Sequence, residues 1–283
     1  MKSIPRRAGL TETSFIEEYL KLNQPVIVTD ALTPWKAMNA WGPRYLAEKF
    51  GHIEVQVYDS LFTLENVERL DAYLSRNFDK HGDAPSTEYV RGYARFKDVD
   101  FAWSDEIFSG LAGDWGHPYF FPNNGFVLPK AADGKDVSPV HDLFPYKGIF
   151  ISGRGARTRL HRDPFGTEAM LCQFYGEKQV HMFEPCQASK VIHKGEYVDP
   201  MAVDHQKFPA FKDISPTYED VLRPGETLFI AGGWFHDVLS LSDSISITWN
   251  FVHSVRTEPF YREVANPENT FDRDILAYLG DIS

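Results

Sequence analysis

The sequence has no long apolar run. No stretch approaches the roughly 18 to 20 consecutive apolar residues that a membrane-spanning helix requires. The opening segment, MKSIPRRAGLTETSF, carries charge but is not followed by the apolar region of a secretory signal. We therefore expect a soluble cytoplasmic protein that has no membrane partner.

Cysteine is also scarce. The 283 residues include only Cys172 and Cys186, which provide neither a disulfide framework nor the paired-thiol spacing of a metal site. This usage is typical of a reducing compartment. Both cysteines stand among apolar residues, so we predict that both lie in the core.

Basic residues are outnumbered by acidic ones. The chain has 29 Lys and Arg against 40 Asp and Glu, which gives a formal net charge of −11. Nonspecific nucleic-acid binding depends on cation-rich surfaces, so we expect no nucleic-acid partner. The acidic balance mildly favours a neutral or basic partner.

Flexible linkers, internal repeats and low-complexity tracts are absent from the sequence. The breaker-rich stretches 80–89 and 129–139 have the composition of loops and do not resemble domain boundaries. We therefore predict a single domain over residues 1–283. It comprises an N-terminal flank (1–146), a core barrel (about 147–252) and a C-terminal tail (253–283).

The N-terminal flank has mainly helical patterns. Residues 14–22 are predicted to form a helix opened by a capping box of Ser14 and Glu17. Residue types and apolar spacing predict three further elements. These are a strand over 24–30 and helices over 43–50 and 64–78.

From about residue 145 the pattern changes to short β-rich runs separated by Gly and Pro. These runs are 147–152, 156–161, 168–174, 179–183, 226–231 and 244–252. Helices followed by closely spaced strands favour a mainly β fold, a jelly roll or barrel with a helical N-terminal flank. Residues 271–281 are predicted to form a short amphipathic helix, which would pack on the barrel or on a second subunit of a homodimer.

A candidate metal site begins in TRLHRDPFGTEAMLCQFYGEK, residues 158–178. His161 and Asp163 stand two residues apart, so on a strand their side chains project from one face. His81 and Asp83 have the same spacing, but they lie in a polar loop without a flanking strand. We interpret that second pair as a chance occurrence.

A third candidate ligand, His236, lies in RPGETLFIAGGWFHDVLSLSDSISITWNF, residues 223–251, where it follows a Gly-Gly turn at the start of a strand. Two imidazoles and one carboxylate leave coordination positions open, as in non-haem Fe(II) oxygenases. A closed zinc site would need a fourth protein ligand, and none stands nearby. The residues alone support a metal site and a set of unconnected polar residues about equally.

Further polar residues accompany this candidate site. Lys178 follows an apolar run at a turn, where it is either solvated or paired with an anion in the barrel mouth. Ser246, Thr248 and Asn250 share one face of the last strand, which meets either water or a small ligand in a cavity. Strict alternation places Thr158 on the face opposite to that of the metal ligands, unless the strand bends.

Arg157 and Arg159 have the same parity as His161 on the predicted strand. A long cation at either position is able to bind a carboxylate. We interpret both arginines as solvated in preference to that role.

The two motifs, residues 158–178 and 223–251, resemble in order and content those of the jumonji-C (cupin-8 type) oxygenases that depend on Fe(II) and 2-oxoglutarate. The likeness is closest to the small protein-hydroxylase branch that includes the jumonji-C lysyl hydroxylases. It is strong over about 147–252 and slight over 60–145.

The resemblance implies a double-stranded β-helix in which His161, Asp163 and His236 bind iron and form the catalytic centre. The implied reaction uses O₂ and 2-oxoglutarate to hydroxylate an amino-acid side chain, in a protein or peptide, and releases succinate and CO₂. A free amino acid or a natural-product intermediate is the alternative substrate, since no accessory domain for a macromolecule is evident. A non-catalytic cupin-like binding module is the other alternative.

The same resemblance implies the cosubstrate contacts. Lys178 would pair with the distal carboxylate of 2-oxoglutarate, while Thr158 and Thr248 would donate hydrogen bonds to it and Asn250 would lie close by. The chain has Leu171 where the lysyl-hydroxylase branch has an asparagine. This departure puts the substrate of that branch in doubt.

Overall fold

The computed structural model describes residues 2–80, 85–93, 103–128 and 147–267. The fold and the site are described within these ranges. Two predictions, the His81 and Asp83 pair and the helix over 271–281, lie outside the described residues. None of the described helices is long and apolar enough to cross a membrane.

The described residues form mainly β-structure. In chain order the strands are β1 (Arg6–Arg7), β2 (Val26–Val28), β3 (Glu54–Tyr58), β4 (Leu64–Arg69), β5 (Tyr89–Tyr93), β6 (Phe126–Leu128), β7 (Lys147–Ser152), β8 (Arg157–His161), β9 (Glu168–Tyr175), β10 (Lys178–Phe183), β11 (Ile192–His193), β12 (Glu196–Tyr197), β13 (Tyr218–Leu222), β14 (Thr227–Ile230), β15 (Phe235–Ser240) and β16 (Ser244–His253). The six strands predicted after residue 145 are confirmed as β7, β8, β9, β10, β14 and β16. The bounds of β7 are those predicted, and each of the others differs by one residue at one end or both.

Two sheets build the barrel. The larger sheet has the strand order β1-β2-β14-β9-β16-β7-β5-β3-β4, with β6 beside β16. The smaller sheet has the order β13-β10-β15-β8, and all its pairs are antiparallel. A side-chain hydrogen bond from Lys178 on β10 to Ser246 on β16 crosses the interior between the sheets. The predicted mainly β, jelly-roll architecture is confirmed.

Seven α-helices accompany the described strands. They are α1 (Glu12–Ser14), α2 (Ala37–Ala40), α3 (Pro43–Phe50), α4 (Leu70–Asn77), α5 (Trp103–Leu111), α6 (Ala188–Val191) and α7 (Glu258–Ala265). A π-helix over Phe15–Leu20 continues α1. The helix predicted over 43–50 is confirmed as α3.

Two predictions in the N-terminal flank are wrong in part. The capping residue of α1 is Thr11, whose side chain accepts a hydrogen bond from the backbone N–H of Ser14 (3.1 Å). The predicted box of Ser14 and Glu17 does not form, because the helix begins before Ser14. In the helix predicted over 64–78, the first six residues instead form β4, since pairing with β3 overrides their helical spacing.

Each sheet has a covered outer face. Outward residues of β16, such as Trp249 and Phe251, pack against an aromatic cluster that includes Phe121. The outer face of the smaller sheet packs on residues 184–217 through a separate apolar cluster. Leu160, Phe183 and Phe235 supply the sheet side of that cluster. Both outer faces are largely apolar, so Lys178 and Ser246, which form the hydrogen bond between the sheets, point into the barrel.

The two cysteines differ in environment. Cys172 is fully buried, as predicted. The prediction that Cys186 lies in the core is wrong, because it stands in an exposed turn and its thiol donates to Glu184 Oε2 (3.3 Å).

Candidate active site

Three candidate ligand side chains meet at one end of the smaller sheet. His161 is the last residue of β8 and His236 the second of β15, and the two are cross-strand partners. Their ring centroids lie 4.2 Å apart. Potential ligand atoms of His161, Asp163 and His236 all lie within 4.8 Å of one another.

Both imidazoles are oriented by the same kind of backbone contact. Nδ1 of His161 lies 2.9 Å from the carbonyl oxygen of Arg159, and Nδ1 of His236 lies 3.2 Å from that of Trp234. A carbonyl only accepts, so Nδ1 carries the proton in each ring and Nε2 presents a lone pair. Burial, together with the neighbouring His236, lowers the pKa of His161 well below its usual range. The neutral, ligating form of His161 is therefore favoured.

The donor set fits Fe(II). Two neutral nitrogens and one carboxylate oxygen occupy three coordination positions and leave others open for small ligands. A closed zinc site would add a fourth protein ligand. In the described ranges, no other group of three or more His, Cys, Asp and Glu side chains comes within metal-binding distances.

The loop that carries Asp163 is held by α7. Phe165 adopts a left-handed φ of 53°, which is unusual for a bulky residue, and its buried ring lies 6.1 Å from that of Phe260. Arg162 donates two hydrogen bonds to the carboxylate of Glu263 (3.1 and 2.9 Å). Packing and charge from one helix therefore fix the loop of the candidate ligand Asp163, and no sequence pattern predicted this helix.

A β-bulge turns Thr158 inward. His236 pairs with His161 and Val238 with Thr158. Between these two pairs β8 spans three residue steps, whereas β15 spans two. The extra residue places Thr158 and His161 on the same face, although they stand three apart. The expectation from strict alternation is thus wrong. Thr158 Oγ1 accepts a hydrogen bond from the guanidinium of Arg91 (3.1 Å).

Arg157 and Arg159 lie on the outer face of the smaller sheet. Arg157 donates to both carboxylate oxygens of Asp237 (2.8 and 2.5 Å) and to Asp199 (2.8 Å). Arg159 Nε lies 3.3 Å from Asp199. Neither arginine is simply solvated as predicted; both are paired with carboxylates of the protein.

A buried lysine lies deeper in the interior. Lys178 is 2% exposed, and its Nζ donates to Ser246 Oγ (2.9 Å). The ring of Tyr89 lies 5.5 Å from Nζ, and a chain of hydroxyls continues from Tyr89 to Ser240 (3.1 Å) and Ser152 (2.8 Å). Burial lowers the pKa of Lys178. A cation among hydroxyls in a closed interior is suited to a carboxylate ligand.

The polar face of β16 lines the same interior. Ser246 shares this face with Thr248 and Asn250, and all three side chains lie buried or half-buried. Asn250 Nδ2 donates to Thr167 Oγ1 (3.3 Å). Leu171 is the cross-strand partner of Thr248, so its apolar side chain faces the same space. Of the two alternatives for this face, the structure favours the cavity.

Two residues of the site, Tyr89 and Arg91, were missed by sequence reasoning. They lie on β5, in the segment that shows little family likeness. Arg91 is 2% exposed and its guanidinium stacks 3.7 Å from the ring centroid of Phe62. The alternation in YVRGY, residues 89–93, is the only sequence pattern that indicates a common face for them.

Comparison with known proteins identifies the family. Residues 12–257 match the model of the cupin-like domain. The chain belongs to the cupin-like family. The resemblance to its jumonji-C oxygenases is confirmed by this match and by the relatives described next.

The chain is similar to several characterised proteins. It is 25% identical to the arginine-specific demethylase JMJ20 of Arabidopsis thaliana, over 87% of this chain and 56% of the relative. It is 23% identical to the 2-oxoglutarate and iron-dependent oxygenase JMJD4 of Gallus gallus, over 88% of this chain and 60% of the relative. It is 24% identical to the human tRNA wybutosine-synthesizing protein 5, over 89% of this chain and 79% of the relative. The chain spans about half the length of JMJ20.

Proposed function

We propose that the protein is an Fe(II)- and 2-oxoglutarate-dependent dioxygenase that hydroxylates an amino-acid side chain of a protein or peptide. Succinate and CO₂ are the coproducts. One observation supports this proposal most: the candidate ligands His161, Asp163 and His236 and the buried Lys178 face the same barrel interior.

His161, Asp163 and His236 would hold the metal. Bound Fe(II), with 2-oxoglutarate and O₂, supplies the oxidative chemistry. The protein keeps both imidazoles in the Nδ1–H tautomer through backbone carbonyls, so their Nε2 atoms face the metal position. Because α7 fixes the Asp163 loop, the third ligand is positioned before the metal binds.

Lys178 would pair with the distal carboxylate of 2-oxoglutarate. Hydroxyl groups close to the ammonium would complete the carboxylate's hydrogen bonds. The residues proposed to contact the cosubstrate are Thr158, Lys178, Thr248 and Asn250, joined by Tyr89 and Ser246. Leu171, opposite Thr248, would give the carbon chain of the cosubstrate an apolar wall and exclude water from it.

The relatives' names and the net charge support a polypeptide substrate, and the site residues support a catalytic role. Relatives are named for a demethylase, an oxygenase and a tRNA-modifying protein, and the first of these names specifies an amino acid. The net charge of −11 does not favour a polyanion such as tRNA. Against a non-catalytic module, the three ligands and the lysine are all present and oriented inward.

Succinate formation tests the proposal. Purified protein with Fe(II), ascorbate and 2-oxoglutarate should release succinate slowly even without the prime substrate. The His161→Ala and Lys178→Ala variants should lose this turnover, while Lys212→Ala, on an exposed lysine, should keep it. Equal succinate release by wild type and His161→Ala would reject the assignment of the metal site.

A further inference from the structure

Four large apolar side chains are exposed within one short stretch of the chain. Leu61, Phe62, Leu64 and Val67 are 58%, 43%, 48% and 41% exposed. They lie at the tip and on the outer strand of the β3–β4 hairpin, and we call them the apolar shelf. Single exposed apolar residues are ordinary, whereas a contiguous group marks an interaction site.

A β-bulge in β4 gives two of these residues a common face. Leu64 is the cross-strand partner of Tyr58, and Val67 is that of Gln56. Tyr58 in turn pairs with Tyr89, whose hydroxyl lies in the barrel interior. Cross-strand partners share a face. Leu64 and Val67 therefore lie on the face of the larger sheet that continues into the barrel.

The tip of the hairpin reaches the metal ligands. The rings of Phe62 and His161 meet edge to face, with centroids 5.9 Å apart, and Arg91 stacks on Phe62. Phe62 has a left-handed φ of 66°, a conformation that a bulky residue keeps only where its surroundings impose it. Asp59 Oδ1 fixes the tip by accepting hydrogen bonds from two of its backbone amides (2.7 and 2.9 Å).

The apolar shelf is longer than a free amino acid. From Phe62 to Val67 the hairpin extends roughly 13 to 16 Å at the rise of a β-strand, which corresponds to about four or five residues of extended chain. The side chain of Asn66 accepts a hydrogen bond from the backbone N–H of Val67 (2.9 Å). This contact occupies the backbone N–H of Val67 on β4. Docking through the exposed side chains is therefore favoured over docking through backbone hydrogen bonds of β4.

Charge favours a basic occupant. The chain carries a formal charge of −11, and the exposed Glu65 lies between Leu64 and Val67. A basic segment would gain from this field, while an acidic one would be repelled.

We propose that the apolar shelf is the docking surface for a basic polypeptide substrate. An apolar side chain of the substrate would pack on the shelf, a few residues along the substrate from the side chain that enters the metal site. The inference rests on the proposed function and narrows its substrate class to an extended polypeptide segment. Phe62 joins the docking surface to the metal centre.

The test uses random linear peptides displayed on phage and panned against the full chain with Mn(II) and 2-oxoglutarate. The selected peptides should share an apolar residue flanked by Lys or Arg. A synthetic peptide of that consensus should bind the Leu64→Ser/Val67→Ser double variant at least about tenfold more weakly than wild type, since apolar anchors dominate such interfaces. Leu64→Met/Val67→Ile should retain binding.

The matched control is Leu22→Ser/Val255→Ser, which removes two exposed apolar side chains, 63% and 38% exposed. Leu22 precedes β2, near the edge of the larger sheet opposite to β4, and Val255 follows β16. This control should bind the peptide like wild type, and all variants should show the thermal midpoint of wild type. Equal binding by the shelf variant and wild type, or a library that yields no binder, overturns the inference. Succinate formation by wild type is measured separately. A wrong docking surface and a wrong proposed activity can therefore be told apart.

Discussion

The buried ammonium of Lys178 lies among hydroxyl groups and beside a second buried cation, Arg91. Burial, followed by repulsion from Arg91, lowers the pKa of Lys178, while Tyr89 acts in the opposite direction. Such a group is costly to bury. Its position is therefore explained by a carboxylate ligand better than by fold stability.

Replacing Lys178 with methionine should stabilise the ligand-free protein. Methionine has a similar volume and carries no charge, so we expect the free energy of unfolding to rise by about 1–3 kcal/mol. Urea denaturation without metal or 2-oxoglutarate measures this. The same variant should lose 2-oxoglutarate binding, and a loss of stability would show that the lysine serves the fold.

Ionisation of Glu168 should make the free energy of unfolding depend on pH. Burial raises its pKa from 4.5 to about 8 in the folded protein. Between these values the folded state holds a proton that the unfolded state releases. The stability that this proton contributes is complete below pH 4.5 and is lost as pH rises through 8.

The Glu168→Gln variant cannot ionise and should escape this loss. Its advantage in unfolding free energy over wild type should grow from pH 5 to pH 9 by about 3–5 kcal/mol, since each pKa unit corresponds to about 1.4 kcal/mol. Urea denaturation across this range measures the difference. A difference that stays constant with pH would contradict the assignment.

Among the elements, β8 and β15 carry the two histidines, and an ion pair on their outer face ties them together. The Arg157–Asp237 pair has two hydrogen bonds, and Asp237 is 1% exposed. Removal of Asp237 takes away two of the hydrogen bonds of the Arg157 guanidinium and leaves Asp199 as its carboxylate partner. This pair therefore supports the register that brings His161 opposite His236.

The Asp237→Ala variant should lose about 1–3 kcal/mol of unfolding free energy, since Arg157 keeps its contact with Asp199. Mn(II) affinity should fall about 10- to 100-fold as well, because the supporting contacts of the ligand strands are disturbed. Calorimetric titration and urea denaturation report the two effects. Glu17→Ala, which breaks the exposed pair with Lys21, should change stability by less than about 1 kcal/mol. A loss in Asp237→Ala no larger than in this control would contradict the role.

The elements also show what the sequence could predict. The strands β7 to β10, β14 and β16 have short β-rich runs bounded by Gly and Pro, and they were predicted within two residues. The β4 segment has helical spacing, and only pairing with β3 makes it a strand. The inward turn of Thr158 depends on a bulge, which alternation cannot reveal.

The residues of the candidate site were likewise predicted only in part. His161, Asp163 and His236 were predicted because two short motifs contain them. Tyr89 and Arg91 on β5 and Phe62 in the β3–β4 turn were not predicted, since these segments are distant in sequence and carry no motif. Local patterns thus point to candidate ligands, while the walls of the site depend on the topology of the larger sheet.

In the whole molecule, each layer has a distinct role. Helices and aromatic side chains cover the outer face of the larger sheet, and residues 184–217 cover that of the smaller one. The side chains proposed to hold the metal and the cosubstrate face the interior between the sheets, with the proposed metal ligands at its mouth and Lys178 deeper inside. The apolar shelf extends from this mouth along the outermost strand of the larger sheet.

We expect one barrel interior to hold both the metal and the cosubstrate. Calorimetric titration of 2-oxoglutarate into wild-type protein, with and without Mn(II), measures whether it does. Binding should require the metal in wild type and should be lost in both His161→Ala and Lys178→Met. Binding that is independent of Mn(II), or that persists in the Lys178→Met variant, would contradict this expectation.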